Sequence, residues 1–470
     1  MKPIELFSRE ELDLLHLRTI EILEKIGIRV GDESAKDLLT QSGAERDEKR
    51  KTIRIPESLV KEALKTAPRE ITLYGRNPEF DMRLVGGRVH FGLGMNAEYV
   101  LDLETGERRR STKDDVGRIA RLADALQNIA FVMPLASALD MPEDIQDLHE
   151  FEALLNNTEK PVVCWAEHGR LLIKMAAAVA GGIKELRVRP ILCNCALTVS
   201  PLQHHAKYLE TLIESSKAGV PIIYGSCIQM GATGPATIAG SLAQANAEIL
   251  SALVISQLAA EGSPFIYACE GSILDQKAMV MAYGAPELSL FDLGATALAG
   301  YYGLPNFGTG GCTDSKVVDG QAVGEATQTA LLAALGGANL IHGIGYMESS
   351  ATASFEMVVV GDEMAGAVRQ ILADTEISPE TLAFETIQET GPGGSFLSSP
   401  HTLKHYRKHH RTTLMDRRGF AAWQRDSAKE LQVRAKEKAL ALLRAHQVEP
   451  VPGDISSRIR EILRGDVSNY

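Results

Sequence analysis

The chain has 470 residues, 45% hydrophobic and 23% charged, which is enough apolar material for one large globular domain with extensions. Its formal charge of −12, with no basic run longer than Arg108 to Arg110, argues against nucleic acid, whose phosphates demand concentrated positive charge. The apolar stretches around 176–180 and 326–338 are too short or too polar to span a bilayer, and the amino end has no signal-like apolar core, so a cytoplasmic protein without membrane contact is expected.

In chain order, Leu12, Leu15, Ile20, Leu23 and Ile26 recur at helical spacing, and Gly27 stops the pattern where a helix C-cap belongs. Short helices over 35–42 and 56–67 follow. Residues 71–74, 80–84, 88–91 and 99–102 then read as meandering antiparallel strands broken by Gly75, Asn77-Pro78 and Gly86-Gly87. From Ser111 the rhythm changes to apolar strand, polar tip, helix. Strands are predicted at 130–136, 161–166, 190–197, 221–228, 264–269, 305–310, 340–346 and 355–360, several of them opening on proline, as buried parallel strands often do. Eight such units in about 250 residues predict a (β/α)8 TIM barrel in the α/β class. The expected domains are an N-terminal α+β extension over 1–110, the barrel over 111–375 and a C-terminal helical cover over 376–470. The weak joint is the last pair, where too few residues separate the two strands for a full helix.

Such barrels display their chemistry at the C-terminal ends of the strands. Reading those ends gives Trp165, Glu167 and His168, then Asn194, Gln229, Glu270 and Asp314, then His342, Tyr346 and Glu348. The set is acidic and aromatic with few cations, a surround that attracts a positively charged small molecule. The densest polar cluster is Gly308-Thr-Gly-Gly-Cys312-Thr-Asp314-Ser-Lys316, running on to Asp319 and Gln321. It is not a phosphate loop, because no Gly-Lys-Ser/Thr follows the glycines. A plainer reading makes it a tight turn with Asp314 capping the next helix. The six cysteines, at 164, 193, 195, 227, 269 and 312, do not resemble a disulfide framework, and Cys193-Asn-Cys195 is no zinc knuckle.

The segment Phe91-Gly-Leu-Gly-Met95, the barrel strands, and Gly310-Gly-Cys-Thr-Asp314-Ser-Lys316 leading into an Ala-rich helix resemble the trimethylamine:corrinoid methyltransferase family over nearly the whole chain. The resemblance implies transfer of a methyl group from a methylated amine to the cobalt of a separate corrinoid protein, with no cofactor or metal held tightly by the chain itself. In that family the archaeal members acting on trimethylamine carry pyrrolysine near the end of the strand that corresponds to 305–310. This chain has an ordinary residue at every position, with Cys312 near that place, which points to the branch acting on quaternary amines such as glycine betaine. By their strand-end positions, and not by the resemblance, Glu270, Asp314 and His342 are the candidate catalytic residues. Trp165, Asn194, Gln229, Thr313, Tyr346 and Glu348 are the candidate substrate-binding residues. A homo-oligomer is expected, and the corrinoid protein is expected to dock on a rim made by 91–99 and 391–410, with His405 and Lys408 exposed there. The alternatives are a zinc-dependent thiol or alcohol methyltransferase and a non-catalytic quaternary-amine binding protein.

Overall fold

The structure, a computed structural model, describes residues 4–465. Its centre is a closed ring of eight parallel strands. In chain order these are β1 (His90–Leu93), β2 (Ile129–Phe131), β3 (Val162–Trp165), β4 (Leu192–Leu197), β5 (Ile222–Met230), β6 (Phe265–Asp275), β7 (Asn306–Thr309) and β8 (Leu340–Ile344). Each pairs in parallel with the next from β3 to β8, β8 pairs with β1, and β1 with β2. A parallel bridge between Val132 and Val162 closes the ring, with Val132 N–H donating to Pro161 O and Val163 N–H to Val132 O, each at 3.0 Å. The predicted (β/α)8 barrel is therefore the fold.

Two strand assignments need correction. Residues 355–360 are not a strand but the start of the helix Phe355–Leu372, capped by Ser354, whose hydroxyl accepts from Met357 N–H. The apolar run Met357-Val-Val-Val360 mimics a strand because this helix is covered on both sides, by the barrel and by the helix Leu431–Ala445. A helix buried all round loses its amphipathic stripe. The eighth strand comes instead from 88–91, which the sequence suggested was part of an antiparallel meander. As β1 it lies between β8 and β2, so the barrel begins within the segment assigned to the N-terminal extension.

The first helix, Arg9–Glu21, opens with a reciprocal capping box between Ser8 and Glu11, and a widened last turn ends at Gly27, whose φ of 79° favours glycine. The helix Ile238–Ala259 is long and apolar enough to cross a membrane by composition, but it packs against β5 and the first helix and is buried. A small sheet stands above the C-terminal end of the barrel, joining Tyr346–Met347, Thr352–Ser354, Tyr99–Leu101 and Arg108–Arg110.

The C-terminal segment touches that sheet through Lys436, which donates to Glu104 O at 2.9 Å, but residues 410–414 lie elsewhere. Thr413 and Leu414 dock on the Glu363 carboxylate, and His410 lies against Gly366 beside Asn128, which enters β2 from the N-terminal face. His410, the last residue of the expected docking rim at 391–410, thus lies away from the strands' C-terminal ends. His405 is also partly covered, tilted against His401 with ring centroids 4.4 Å apart and 3.3 Å from Glu380. Lys408 is exposed.

Candidate active site

A cavity of about 490 Å³ opens at the C-terminal ends of the strands. Its floor is Glu270 of β6 and His342 of β8. His342 Nε2 lies 3.1 Å from Thr309 Oγ1 and 3.3 Å from Glu270 Oε1, close enough for ion pairing but not aligned as a hydrogen bond. Among the described residues Glu270 Oε1 accordingly has no hydrogen-bond partner although the residue is only 6% exposed, and a buried carboxylate oxygen left in that state is poised for a ligand. Phe307 stacks on the His342 ring at 4.4 Å, fixing its plane. Behind this floor Asp292 accepts from Thr309 N–H at 2.9 Å, and burial raises its carboxyl to about 7.

The walls are aromatic. Trp165, at the end of β3, packs edge-on against Tyr208 at 5.3 Å, and Tyr283 stands edge-on to Tyr346 at 6.0 Å. The Tyr346 hydroxyl is held by the backbone of Met95, accepting from its N–H at 2.7 Å and donating to its carbonyl. Tyr346 therefore lines the cavity while its polar end is spoken for. Gly94 makes this possible, since a Cβ there would sit 2.6 Å from the Tyr346 ring. Gly94→Ala should cost about 1–3 kcal/mol of stability through overpacking. It should also weaken ligand binding by displacing the ring, and denaturant unfolding alongside calorimetric titration would measure both.

The remaining wall is acidic. The helix Gln146–Asn157 turns Asp147 and Glu150 inward with Phe151 and Leu154. Asp147 accepts from His168 Nδ1 at 2.9 Å and from the His168 and Glu167 N–H groups, which secures the loop after β3. Glu150 meets only neutral donors: Ala138 N–H at 3.0 Å, Asn96 Nδ2 at 3.0 Å and Gln146 Nε2 at 3.4 Å. Burial outweighs them and holds its carboxyl up at about 8.

Four of the nine residues singled out from the sequence, Trp165, Glu270, His342 and Tyr346, meet at this cavity. The other five do not line it. Asn194 is fully buried, with its amide donating to Ser215 Oγ at 2.9 Å, and Gln229 holds a turn through its backbone bond to Thr233 Oγ1. Thr313 donates to Glu325 at 2.6 Å. Asp314 accepts from Tyr283 N–H and Gly284 N–H, both at 2.8 Å, and from Ser349 Oγ at 2.7 Å. Glu348 pairs with Arg108 at 2.7 Å. Thus Asp314, proposed as catalytic from the sequence, fastens the hairpin that delivers Tyr283, and the polar crowd at 313–319 mostly satisfies itself. Cys312 is buried beneath, near Tyr283 O and Thr329 Oγ1. Among the described residues no three His, Cys, Asp or Glu side chains converge as a metal site would require.

Glu150, Asp147, Asn96 and Tyr283 escaped the sequence reading. The first two carried a usable signal, two carboxylates three residues apart on the apolar face of an amphipathic helix. Burying charge there calls for a reason.

Fold and site together define a TIM-barrel protein with an acidic, aromatic-walled pocket for a small molecule. The chain belongs to the trimethylamine methyltransferase (MTTB) family, whose model matches residues 1–465, and it is a methyltransferase of that family. It is 38% identical to the trimethylamine methyltransferase MttB of Desulfitobacterium hafniense (strain DSM 10664 / DCB-2), over 99% of this chain and 94% of the relative. It is 31% identical to the glycine betaine methyltransferase of Desulfitobacterium hafniense (strain Y51), over 94% of this chain and 90% of the relative. Among solved structures, the monomethylamine methyltransferase MtmB of Methanosarcina barkeri aligns with 95% of this chain and 90% of its own, at 11% identity and a TM-score of 0.48. The fold assignment rests on this chain's own strand pairing.

Proposed function

We propose that the protein moves a methyl group from a quaternary amine to the Co(I) of a corrinoid carried by a separate cytoplasmic protein. The observation that carries this reading is the pairing of an unpartnered buried carboxylate oxygen on Glu270 with aromatic walls from Trp165, Tyr283 and Tyr346. Carboxylate and ring faces both attract an ammonium group, and neither demands an N–H from it. A quaternary nitrogen suits the chemistry as well. When its N–CH3 bond breaks, the bonding pair stays on nitrogen and a neutral amine leaves, so no proton needs to be supplied. The chain's task is then to hold the ammonium in line and exclude competing nucleophiles. Glu270 and the aromatic walls would fix the nitrogen, while His342, itself fixed by Phe307 and Thr309, would keep the carboxylate in place.

The test offers methylated amines to the protein with free cob(I)alamin and follows methylation by the cobalt spectrum. Transfer from at least one quaternary amine is expected, and transfer from trimethylamine alone, or from none, would overturn the reading. Glu270→Gln should weaken binding of the active amine by about 1–2 kcal/mol, the scale of a partly desolvated cation contact. Unchanged affinity in a folded variant would remove Glu270 from the site.

A further inference from the structure

The substituents on the ammonium can be read from the charges around it. The cavity is lined by Glu98, Glu143, Asp147, Glu150, Glu167 and Glu270, and among the described residues no lysine or arginine lines it. The nearby cations have partners of their own: Lys207 pairs with Glu167 at 2.6 Å, and Lys113 is held by Glu152 and His149 on another face of their helix. The side-chain amides that could grip a carboxylate, Asn96 Nδ2 and Gln146 Nε2, already point at Glu150. What remains is the hydroxyls of Ser137 and Tyr283, the indole N–H of Trp165 and the ring of His342, whose Nε2 already lies against Glu270.

A betaine would have to lay its carboxylate against this acidic wall, which no lysine or arginine offsets, and once Glu150 ionises as pH reaches about 8 like charges in a partly desolvated cavity repel it strongly. A substrate that is positive without being zwitterionic meets the opposite situation. Its ammonium sits over Glu270 and the rings, and its remaining substituent faces Glu150, a fully buried acid with no cationic partner. We infer that the substrate is a permanent cation without a carboxylate, a tetraalkylammonium or quaternary ammonium alcohol, and that Glu150 and Glu270 together select against zwitterionic betaines. This rests on the quaternary-amine reading above and replaces glycine betaine as its expected member.

Choline and glycine betaine are nearly the same size and differ in carrying a hydroxymethyl or a carboxylate group, so they isolate the charge. Calorimetric titration of the intact protein at pH 8 should show choline and tetramethylammonium binding at least roughly tenfold tighter than glycine betaine. In Glu150→Gln that ratio should fall by roughly fivefold or more, with choline losing affinity and glycine betaine gaining it. Glycine betaine binding as tightly as choline, or tighter, would overturn the inference, as would a ratio unchanged in a folded Glu150→Gln protein. Because binding is read without any methyl acceptor, this outcome is separate from the cobalt assay. A protein that methylates cob(I)alamin from glycine betaine in preference to choline would keep the proposed function and lose this refinement.

Discussion

Tetramethylammonium should bind up to roughly 50-fold more tightly at pH 8 than at pH 6, because the ligand keeps its charge at every pH and the counter-ion does not. Burial holds Glu150 up at about 8, so at pH 6 it is neutral in the free protein, and a cation beside it must first expel the proton. In the limit of full coupling, affinity rises tenfold per pH unit up to about 8 and then levels off. The groups facing Glu150 are Asp147 on its own helix, the Asn96 and Gln146 amides, Ala138 N–H, and Cys164 on β3, whose thiol burial keeps protonated throughout this range. Asp292 is the second nearby group that titrates in this range, at about 7, so Asp292→Asn serves as the control. Calorimetry from pH 6 to 9 should give a sloping profile in the wild type and in Asp292→Asn, and a flat one in Glu150→Gln. A flat wild-type profile would remove Glu150 as the counter-ion. The same shift has a stability sign. The folded value lies above the usual 4.5, so the stability it contributes is complete below about 4.5 and is lost as pH rises through 8. Glu150→Gln should accordingly gain stability relative to wild type on the alkaline side of that window.

Glu248→Ala should destabilise the fold by about 3 kcal/mol or more, the range for removing the shared acceptor at the centre of a buried hydrogen-bond network. Glu248 is fully buried on the helix Ile238–Ala259 and accepts from Thr198, Ser200 and Ser226 hydroxyls at 2.6–2.7 Å, from Leu202 N–H at 2.8 Å and from Gln244 Nε2 at 3.1 Å. These bonds hold the loop that follows β4 down onto the barrel wall. Truncation would strip the acceptor from the Thr198 hydroxyl and Leu202 N–H, while Gln244 keeps Thr233 O and Ser200 and Ser226 keep each other. Urea unfolding should show a lower midpoint with an unchanged slope, and a midpoint within the error of wild type would mean that water or a neighbouring group replaces the carboxylate.

The barrel was legible in the sequence because its strands from 161 onward are short apolar runs between turn residues, several opened by proline. What misled was length and context. β1 has four residues, follows Gly86-Gly87 and has no preceding helix, so nothing local distinguishes it from a hairpin arm. Only its partners β8 and β2, far away in the chain, make it a barrel strand. The site divides in the same way. Glu270 and Trp165 were found because they sit on or at the end of strands. Tyr283 comes from a hairpin beyond β6, and Glu150 from a helix, where the strand-end rule does not look. The polar cluster around Asp314 drew attention for a structural reason, since a loop that ties down its neighbours needs as many donors and acceptors as one that binds a ligand.

The bond between Tyr346 and Met95 joins residues 251 positions apart, one just past the first barrel strand and the other just past the last. The contact therefore spans the seam where the last strand meets the first, so one hydroxyl serves both the barrel and the pocket. A chain cut before β8 would lack that seam and, with it, the Tyr346 part of the aromatic wall.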